Sequence, residues 1–335
     1  MLPGMTAPET GLRDESRNVA TGRPVEILPG VYEVRESLGP VFDTPDCWVS
    51  LFLLVDPAGA APPALIDSGV PRSTQTVLLP ALAALGLDPQ RLAVLVNTHS
   101  HHDHAGSNVQ LRAATGCEVW IHEDDGPALE RGSHFGEEPC LPHRADRLLR
   151  DGERLGLAGR EYEVVHVPGH SPGSMGLYDR ERGVFFSGDA LQARGTATQG
   201  IPGAQDREAY ARSVRRVAAL PIEHLLAAHP YLPFPDSHVQ PAAEVQRYLR
   251  ECQRFVDGMD EEILTAMRAE GAPATAAALG ARICAGRGLA RPAQLTAAIF
   301  RGISAGWKRP GGCGAPATGR RPAGRSPAGR AEGPR

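Results

Sequence analysis

The segment that decides the fold is Thr98-His99-Ser100-His101-His102-Asp103-His104-Ala105-Gly106, which follows the apolar run 92–96 directly. Four side chains able to bind a borderline metal, His99, His101, Asp103 and His104, fall within six positions. In a strand-to-helix loop, His99 and His101 can turn the same way while Asp103 and His104 face a second point nearby. That is the arrangement of a two-metal site rather than of one tetrahedral ion. The plainer alternative, a polar turn whose histidines cap the next helix, fails on cost, because four such groups gathered at a strand end would be left without partners.

Outward from this loop, short β-type runs bounded by Gly, Pro and Asp alternate with helical patterns from Glu26 onward, which argues an α/β architecture. Residues 30–35, 49–55 and 64–66 are expected as consecutive strands, then a helix over 74–85 with Leu78, Leu79, Leu82 and Leu85 at helical spacing. The run 92–96 is a fully apolar strand, and a helix at 108–114, a strand at 117–121 and a helix at 124–131 continue the alternation. Residues 132–146 interrupt it with Ser, Gly, Glu, Pro and His and are expected as a surface insertion. Strands at 161–167, 175–178 and 183–186, a helix at 208–219 and a strand at 224–228 complete a domain over 26–240, preceded by a flexible stretch, 1–25.

From Pro241 the pattern is helical, at 244–268, 274–285 and 292–303, which defines a small helical C-terminal domain over 241–306. Residues 307–335 are rich in Gly, Pro, Ala, Ser and Arg, with no apolar periodicity to offset the entropy of ordering them, and are expected to be disordered. Arg320, Arg321, Arg325, Arg330 and Arg335 make this tail basic; a solvated tail is preferred over a nucleic-acid contact. The 335 residues are 41% hydrophobic and 22% charged with a formal net charge of −4, so a real core is available and bulk charge names no partner. Six cysteines without a Cys-x-x-Cys pair point to a reducing cytoplasm. The first 25 residues hold no signal-type apolar region, and the run 48–55 is closed off by Asp56 and Pro57, far short of the roughly 20 residues that span a bilayer. No membrane partner is expected.

The pattern His-x-His-x-Asp-His after an apolar strand resembles the first metal motif of the metallo-β-lactamase superfamily, and further motifs follow in the family's order. Pro168-Gly169-His170-Ser171-Pro172-Gly173-Ser174 resembles the second, Ser187-Gly188-Asp189 the third and Ala227-Ala228-His229-Pro230 the fourth, while Leu65-Ile66-Asp67-Ser68-Gly69 is similar to its strand-end Asp. The resemblance covers roughly 26–230 and implies an αββα sandwich. It implies that His99, His101 and His170 bind one metal, that Asp103, His104 and His229 bind a second, and that Asp189 and a hydroxide bridge them. Two zinc ions are expected, with iron or manganese as alternatives. Two dipositive ions against two carboxylates and a hydroxide leave about one positive charge where an oxyanion would develop, and metal binding lowers the pKa of the bridging water to about 7. Turnover would then depend on Asp103 and Asp189, with Asp67 acting from behind the ligands. Gly169, Gly173 and Gly188 most simply permit tight turns beside the metals.

Departures from particular branches narrow the reading. True zinc β-lactamases mostly lack the bridging Asp that Asp189 supplies, and flavin-linked diiron members carry Glu where this chain has His101. RNA-processing members usually add a large inserted domain or a long protruding arm, and the connections here are short. What remains is the branch similar to hydroxyacylglutathione hydrolases and lactonases, acting on a small-molecule acyl substrate, a thioester or lactone. A single-strand endoribonuclease and a mononuclear iron persulfide dioxygenase are the alternatives. The segment 191–206 follows the bridging Asp and is expected to line the pocket, with Arg194 and His102 as candidate substrate contacts. His122, His166 and His224 are read as hydrogen-bonded core residues or partners of ligands, and His134, His143 and His238 are given no role.

Overall fold

The central strands here are apolar on both faces because they are covered on both faces. In the computed structural model, which describes residues 22–39, 47–135, 137–196 and 202–270 with four further positions between 278 and 285, two sheets stack with helices outside each. The first sheet contains β1 (Val25–Leu28), β2 (Val31–Ser37), β3 (Trp48–Leu54), β4 (Ala64–Ile66), β5 (Val94–Val96), β6 (Glu118–His122) and β9 (Arg147–Leu149), in that spatial order. Its first four strands are antiparallel and its last four, β4 onward, parallel. The second sheet runs β10 (Arg154–Leu157), β11 (Arg160–His166), β12 (Met175–Asp179), β13 (Val184–Gly188), β14 (His224–Ala227) and β15 (His238–Val239). All neighbours in it are antiparallel except β13 and β14.

Between the sheets lies a core in which Phe52, Leu54, Ile66 and Val96 of the first meet Tyr162, Val164, Leu177, Phe186 and Leu226 of the second. Outside the first sheet, Leu51, Leu65 and Leu95 pack on Leu78, Ala81 and Leu82 of α1 (Leu79–Ala84) and its preceding π-helical turn Thr74–Leu78, and on Leu111 of α3 (Asn108–Thr115). Outside the second, Val165, Phe185 and Leu225 pack on Tyr210, Val214 and Val217 of α5 (Arg207–Ala218) and on Val245, Tyr248, Leu249 and Cys252 of α6 (Ala242–Glu270). Layers of this kind explain why β3 and β13 read as near-continuous apolar runs rather than alternating ones.

Chain direction places the site. β4 and β5 are parallel, so Asp67 and the loop from Asn97 leave the first sheet at one edge. In the second sheet β11 is two antiparallel steps from β13, and β13 is parallel to β14, so all three deliver their carboxyl ends to one edge too. Backbone hydrogen bonds from Met175 N to Thr98 O (3.0 Å) and from Ser50 N to Ala228 O (2.7 Å) bring the two edges together. A crevice beyond the carboxyl ends of parallel strands is where open α/β sheets hold ligands.

The αββα architecture agrees with the expectation, and the differences have physical causes. The strand expected over 92–96 is confined to Val94–Val96, because Leu92 packs against α1 instead. The interrupting segment 132–146 contains a two-stranded hairpin, β7 (Ser133–Phe135) with β8 (Glu138–Cys140), after the helix α4 (Gly126–Arg131). β1, β9, β10 and β15 escape a reading by pattern, being two to four residues long with mixed exposure. The helix expected at 244–268 is α6; the further helices at 274–285 and 292–303, the tail and residues 1–21 fall almost wholly outside the described residues. Among the described residues no helix is long and apolar enough to cross a membrane, and Cys47, Cys117, Cys140 and Cys252 are free thiols.

Candidate metal centre

Five elements deliver the parts of the site. β5 ends at Val96, and His99 and His101 follow before the short helix α2 (His102–Ala105), which carries Asp103 and His104. His170 follows β11, Asp189 follows β13 immediately, and His229 follows β14 by two residues. Donor atoms of His99, His101 and His170 lie within 4.8 Å of one another, as do those of Asp103, His104 and His229, and those of His99, His104 and Asp189. Asp189 reaches both groups: its Oδ2 is 3.5 Å from His170 Nε2 and 3.6 Å from His104 Nε2, and its Oδ1 is 3.5 Å from His229 Nε2. The structure therefore brings together all seven expected ligands, in the two groups the sequence motifs imply.

The imidazoles are aimed from behind. His104 Nδ1 donates to Asp67 Oδ2 (2.8 Å), His229 Nδ1 to the Trp48 carbonyl (2.7 Å), and His99 Nδ1 lies 3.2 Å from Thr98 Oγ1. His170 Nδ1 donates to the Gly203 carbonyl at 2.5 Å. Each contact commits the proton to Nδ1 and turns Nε2 toward the cluster. Asp67 also accepts from Thr98 N and Thr98 Oγ1, both at 2.8 Å, so one buried carboxylate fixes both the start of the ligand loop and a ligand within it. It does so with φ +60°, a left-handed conformation that costs a non-glycine residue energy and that Asp tolerates better than most. Gly188 shares that left-handed backbone, at φ +49°, and meets a second demand: a Cβ there would lie 2.3 Å from Thr98 Oγ1.

Burial and the neighbouring imidazoles hold His99 well below the ordinary histidine range and bring His101 down to about 3, leaving both neutral with lone pairs available. Burial acts the same way on His104 and His229, but the carboxylates of Asp189 and Asp103 outweigh it and raise both. Asp103 and Asp189 are pushed up by burial and more strongly down by His104 and His229, so both are held ionised. His99 Nε2, His104 Nε2 and His229 Nε2 are buried and make no hydrogen bond. Three buried nitrogens without hydrogen-bond partners around ionised carboxylates are costly unless cations occupy the cluster in place of protons, and the nitrogen and oxygen donor set suits divalent zinc, iron or manganese.

The chain belongs to the metallo-β-lactamase superfamily. The superfamily's sequence profile matches residues 46–229, the span that contains all seven ligands of the cluster. A probable metallo-hydrolase of Burkholderia pseudomallei is 33% identical over 255 residues, covering 68% of this chain and 83% of that protein. A hydroxyacylglutathione hydrolase, GloC, of Haemophilus influenzae is 35% identical over 130 residues, 37% of this chain and 61% of its own length; the match thus spans about three fifths of that relative. A solved metallo-β-lactamase family protein from Thermus thermophilus has the same fold, with a TM-score of 0.61 at 24% identity over 82% of this chain and 92% of that one.

Among the other expected site residues, His102 is partly exposed at the rim, its Nε2 4.0 Å from Asp103 Oδ1. Arg194 is engaged elsewhere: its Nε donates to Glu251 Oε2 of α6 at 2.8 Å, tying the segment after Asp189 to that helix. Tyr231, which sequence reasoning passed over, is buried and donates to Asp189 Oδ1 at 2.8 Å. Gln192, also unforeseen, donates from Nε2 to the Asp189 carbonyl at 2.9 Å and accepts from Gly203 N at 2.6 Å, joining the bridging position to the residue that orients His170. Their positions two residues after His229 and three after Asp189 were the available signal. Away from the cluster, His122 and His166 stack at 3.9 Å beside Asp124, and His224 Nδ1 lies 3.1 Å from His238 Nε2. His143 Nε2 contacts Asn108 Nδ2 at 3.0 Å.

Proposed function

We propose that this chain is a dinuclear metal-dependent hydrolase that opens a thioester or lactone. The observation that carries the reading is the split of seven nitrogen and oxygen donors into two groups that share Asp189. His99, His101 and His170 would hold one divalent ion and Asp103, His104 and His229 the other, with zinc favoured and iron or manganese as alternatives. When bound, such a pair supplies Lewis acidity and a water acidic enough to act as nucleophile at neutral pH. The protein's part is to keep these donors in place without reorganisation. Asp67 and the Trp48 carbonyl lock His104 and His229, while Tyr231 restrains the carboxylate of Asp189.

Carbon is favoured over phosphorus as the reacting centre. A phosphodiester carries a full negative charge and usually a polyanionic strand, for which an unneutralised basic groove would be required. Arg194, the arginine nearest in sequence to Asp189, is already neutralised by Glu251. At the mouth stands an uncharged amide instead, the exposed Gln205, with Nε2 3.5 Å from His101 Nε2. A thiolate leaves readily, so a thioester makes little demand for a general acid, and none of the donors in the cluster need be spared for one. The names of the relatives, metallo-hydrolase and hydroxyacylglutathione hydrolase, support the same class. Comparing kcat/KM for an acyl thioester, an acyl lactone and a single-stranded oligonucleotide under matched metal conditions tests the reading. The expected order places an acyl compound first; faster oligonucleotide cleavage overturns it, and oxygen consumption on a persulfide would promote the dioxygenase.

A further inference from the structure

We infer that Asp125 is a positioning residue that clasps the two ligand loops of the first metal position together across the sandwich. It stands at the start of α4, after β6 of the first sheet, and is 1% exposed. Oδ2 accepts from Ser100 N at 2.8 Å and from Ser171 Oγ at 2.9 Å, and Oδ1 accepts from Gly173 N at 2.7 Å. Ser100 lies between His99 and His101, in the loop that leaves β5. Ser171 follows His170 directly, in the loop that leaves β11 of the other sheet. A single buried carboxylate therefore bonds to the neighbours of all three imidazoles of one ligand group and joins their two loops.

The surroundings are shaped to keep it there. A Cβ at Gly173 would lie 2.6 Å from Asp125 Cβ and 2.6 Å from its backbone N, so the glycine permits this close approach rather than a left-handed turn. Ser171 N in turn donates to Ser174 Oγ at 3.0 Å, and the two hydroxyls lie 2.7 Å apart, which closes the loop on itself around the carboxylate. Charge-assisted hydrogen bonds to two main-chain amides and a hydroxyl are strong and directional. The loops also meet where ligand geometry is tightest: His101 Nδ1 and His170 Nε2, one from each loop, are 2.8 Å apart. Asp67 performs the corresponding task for the other group by holding His104, so each metal position has its own buried carboxylate behind it.

The inference rests on the dinuclear reading above, and a metal titration separates the two. Wild-type protein, Asp125→Ala, Asp125→Asn and Asp179→Ala are stripped of metal, their thermal midpoints are recorded, and each is titrated with Co²⁺ while the visible spectrum is followed. Asp179 is a buried carboxylate on β12 that holds Arg160 and Arg182 and has no part in the cluster, so it reports a structural loss alone. The expected result is two equivalents bound by wild type, with one of them weakened about 10- to 100-fold in Asp125→Ala. Asp125→Asn keeps one acceptor oxygen and should recover part of that affinity. Asp179→Ala should lower the thermal midpoint and bind both equivalents as wild type does. Two equivalents bound by Asp125→Ala with wild-type affinities would overturn the clasp and leave the dinuclear reading standing. Fewer than two in wild type would overturn both.

Discussion

The two sheets furnish the metal cluster by different means. The first contributes four donors from one loop after β5, whereas the second contributes His170, Asp189 and His229 singly from the ends of β11, β13 and β14. Their supports differ in the same way. On the contiguous side Asp67 bonds Thr98 twice and His104 once, and Asp125 bonds Ser100 N between His99 and His101. On the dispersed side each ligand has its own support: the Gly203 carbonyl for His170, Tyr231 for Asp189 and the Trp48 carbonyl for His229. One support failing on the first side should disturb several ligands, and one failing on the second should disturb a single ligand.

The largest effect is expected where the comparison itself breaks down, at the residue facing both groups. Asp189→Ala removes the carboxylate that separates the two cations and should abolish nearly all turnover and weaken both metal equivalents. The loss should exceed the roughly 10- to 100-fold typical of removing a partner behind a ligand. Elemental analysis and kcat of the same preparation check this. Asp67→Asn should come next, at about 10- to 100-fold in metal affinity. Asn tolerates the left-handed backbone that Asp67 adopts, so this substitution removes the charge without adding strain. If Asp67→Asn is as inactive as Asp189→Ala, the ranking of the two is wrong.

Tyr231→Phe deletes one hydrogen bond to one oxygen of Asp189, and on the dispersed side that should remain local. Net contributions of hydrogen bonds to charged groups are about 1.5–3 kcal/mol, and part of this is retained because Asp189 keeps its other neighbours. Metal affinity should fall about tenfold or less, measured by competition with a chelator; a loss matching that of Asp67→Asn would erase the distinction between the two sides.

The difference between the sides also decides what could be read in advance. Four donors packed into 99–104 mark themselves, because no ordinary turn needs that density, and Asp67, His170, Asp189 and His229 become visible once the order of motifs is recognised. The layered fold was legible for a related reason: β3, β5 and β13 are short apolar runs, and burial on both faces writes itself into composition. Apart from Asp67, residues that act from behind were not legible. Tyr231, Gln192 and Asp125 are of types common on surfaces and in turns, and they have partners 42, 11 and up to 48 positions away in the chain. Only the topology makes those distances short. The same holds for Arg194, whose partner Glu251 is 57 positions distant on a helix that packs behind the site. Short edge strands such as His238–Val239 carry too little pattern to be seen at all.

A carboxylate remote from both sides provides the smallest effect and a baseline. Burial pushes Asp179 up, but hydrogen bonds from Arg160 Nε (2.8 Å), Arg182 Nε (2.7 Å) and Arg182 N (3.1 Å) outweigh it and leave the group below the usual carboxylate range. A folded-state pKa below the unfolded value means that its stabilisation is complete above about pH 4 and is lost as pH falls through the folded value. Asp179→Asn should therefore be less stable than wild type near neutrality, with the gap closing below about pH 4, and its metal content should be unchanged. Urea unfolding at a series of pH values shows it; a gap that widens as pH falls would contradict the sign.

The number of metal ions per chain separates a dinuclear hydrolase from its alternatives most directly. Elemental analysis of the purified, catalytically competent protein should give two divalent ions for each chain, with activity on an acyl thioester or lactone falling as a chelator removes them. One tightly held iron per chain, with turnover that consumes oxygen, would contradict it.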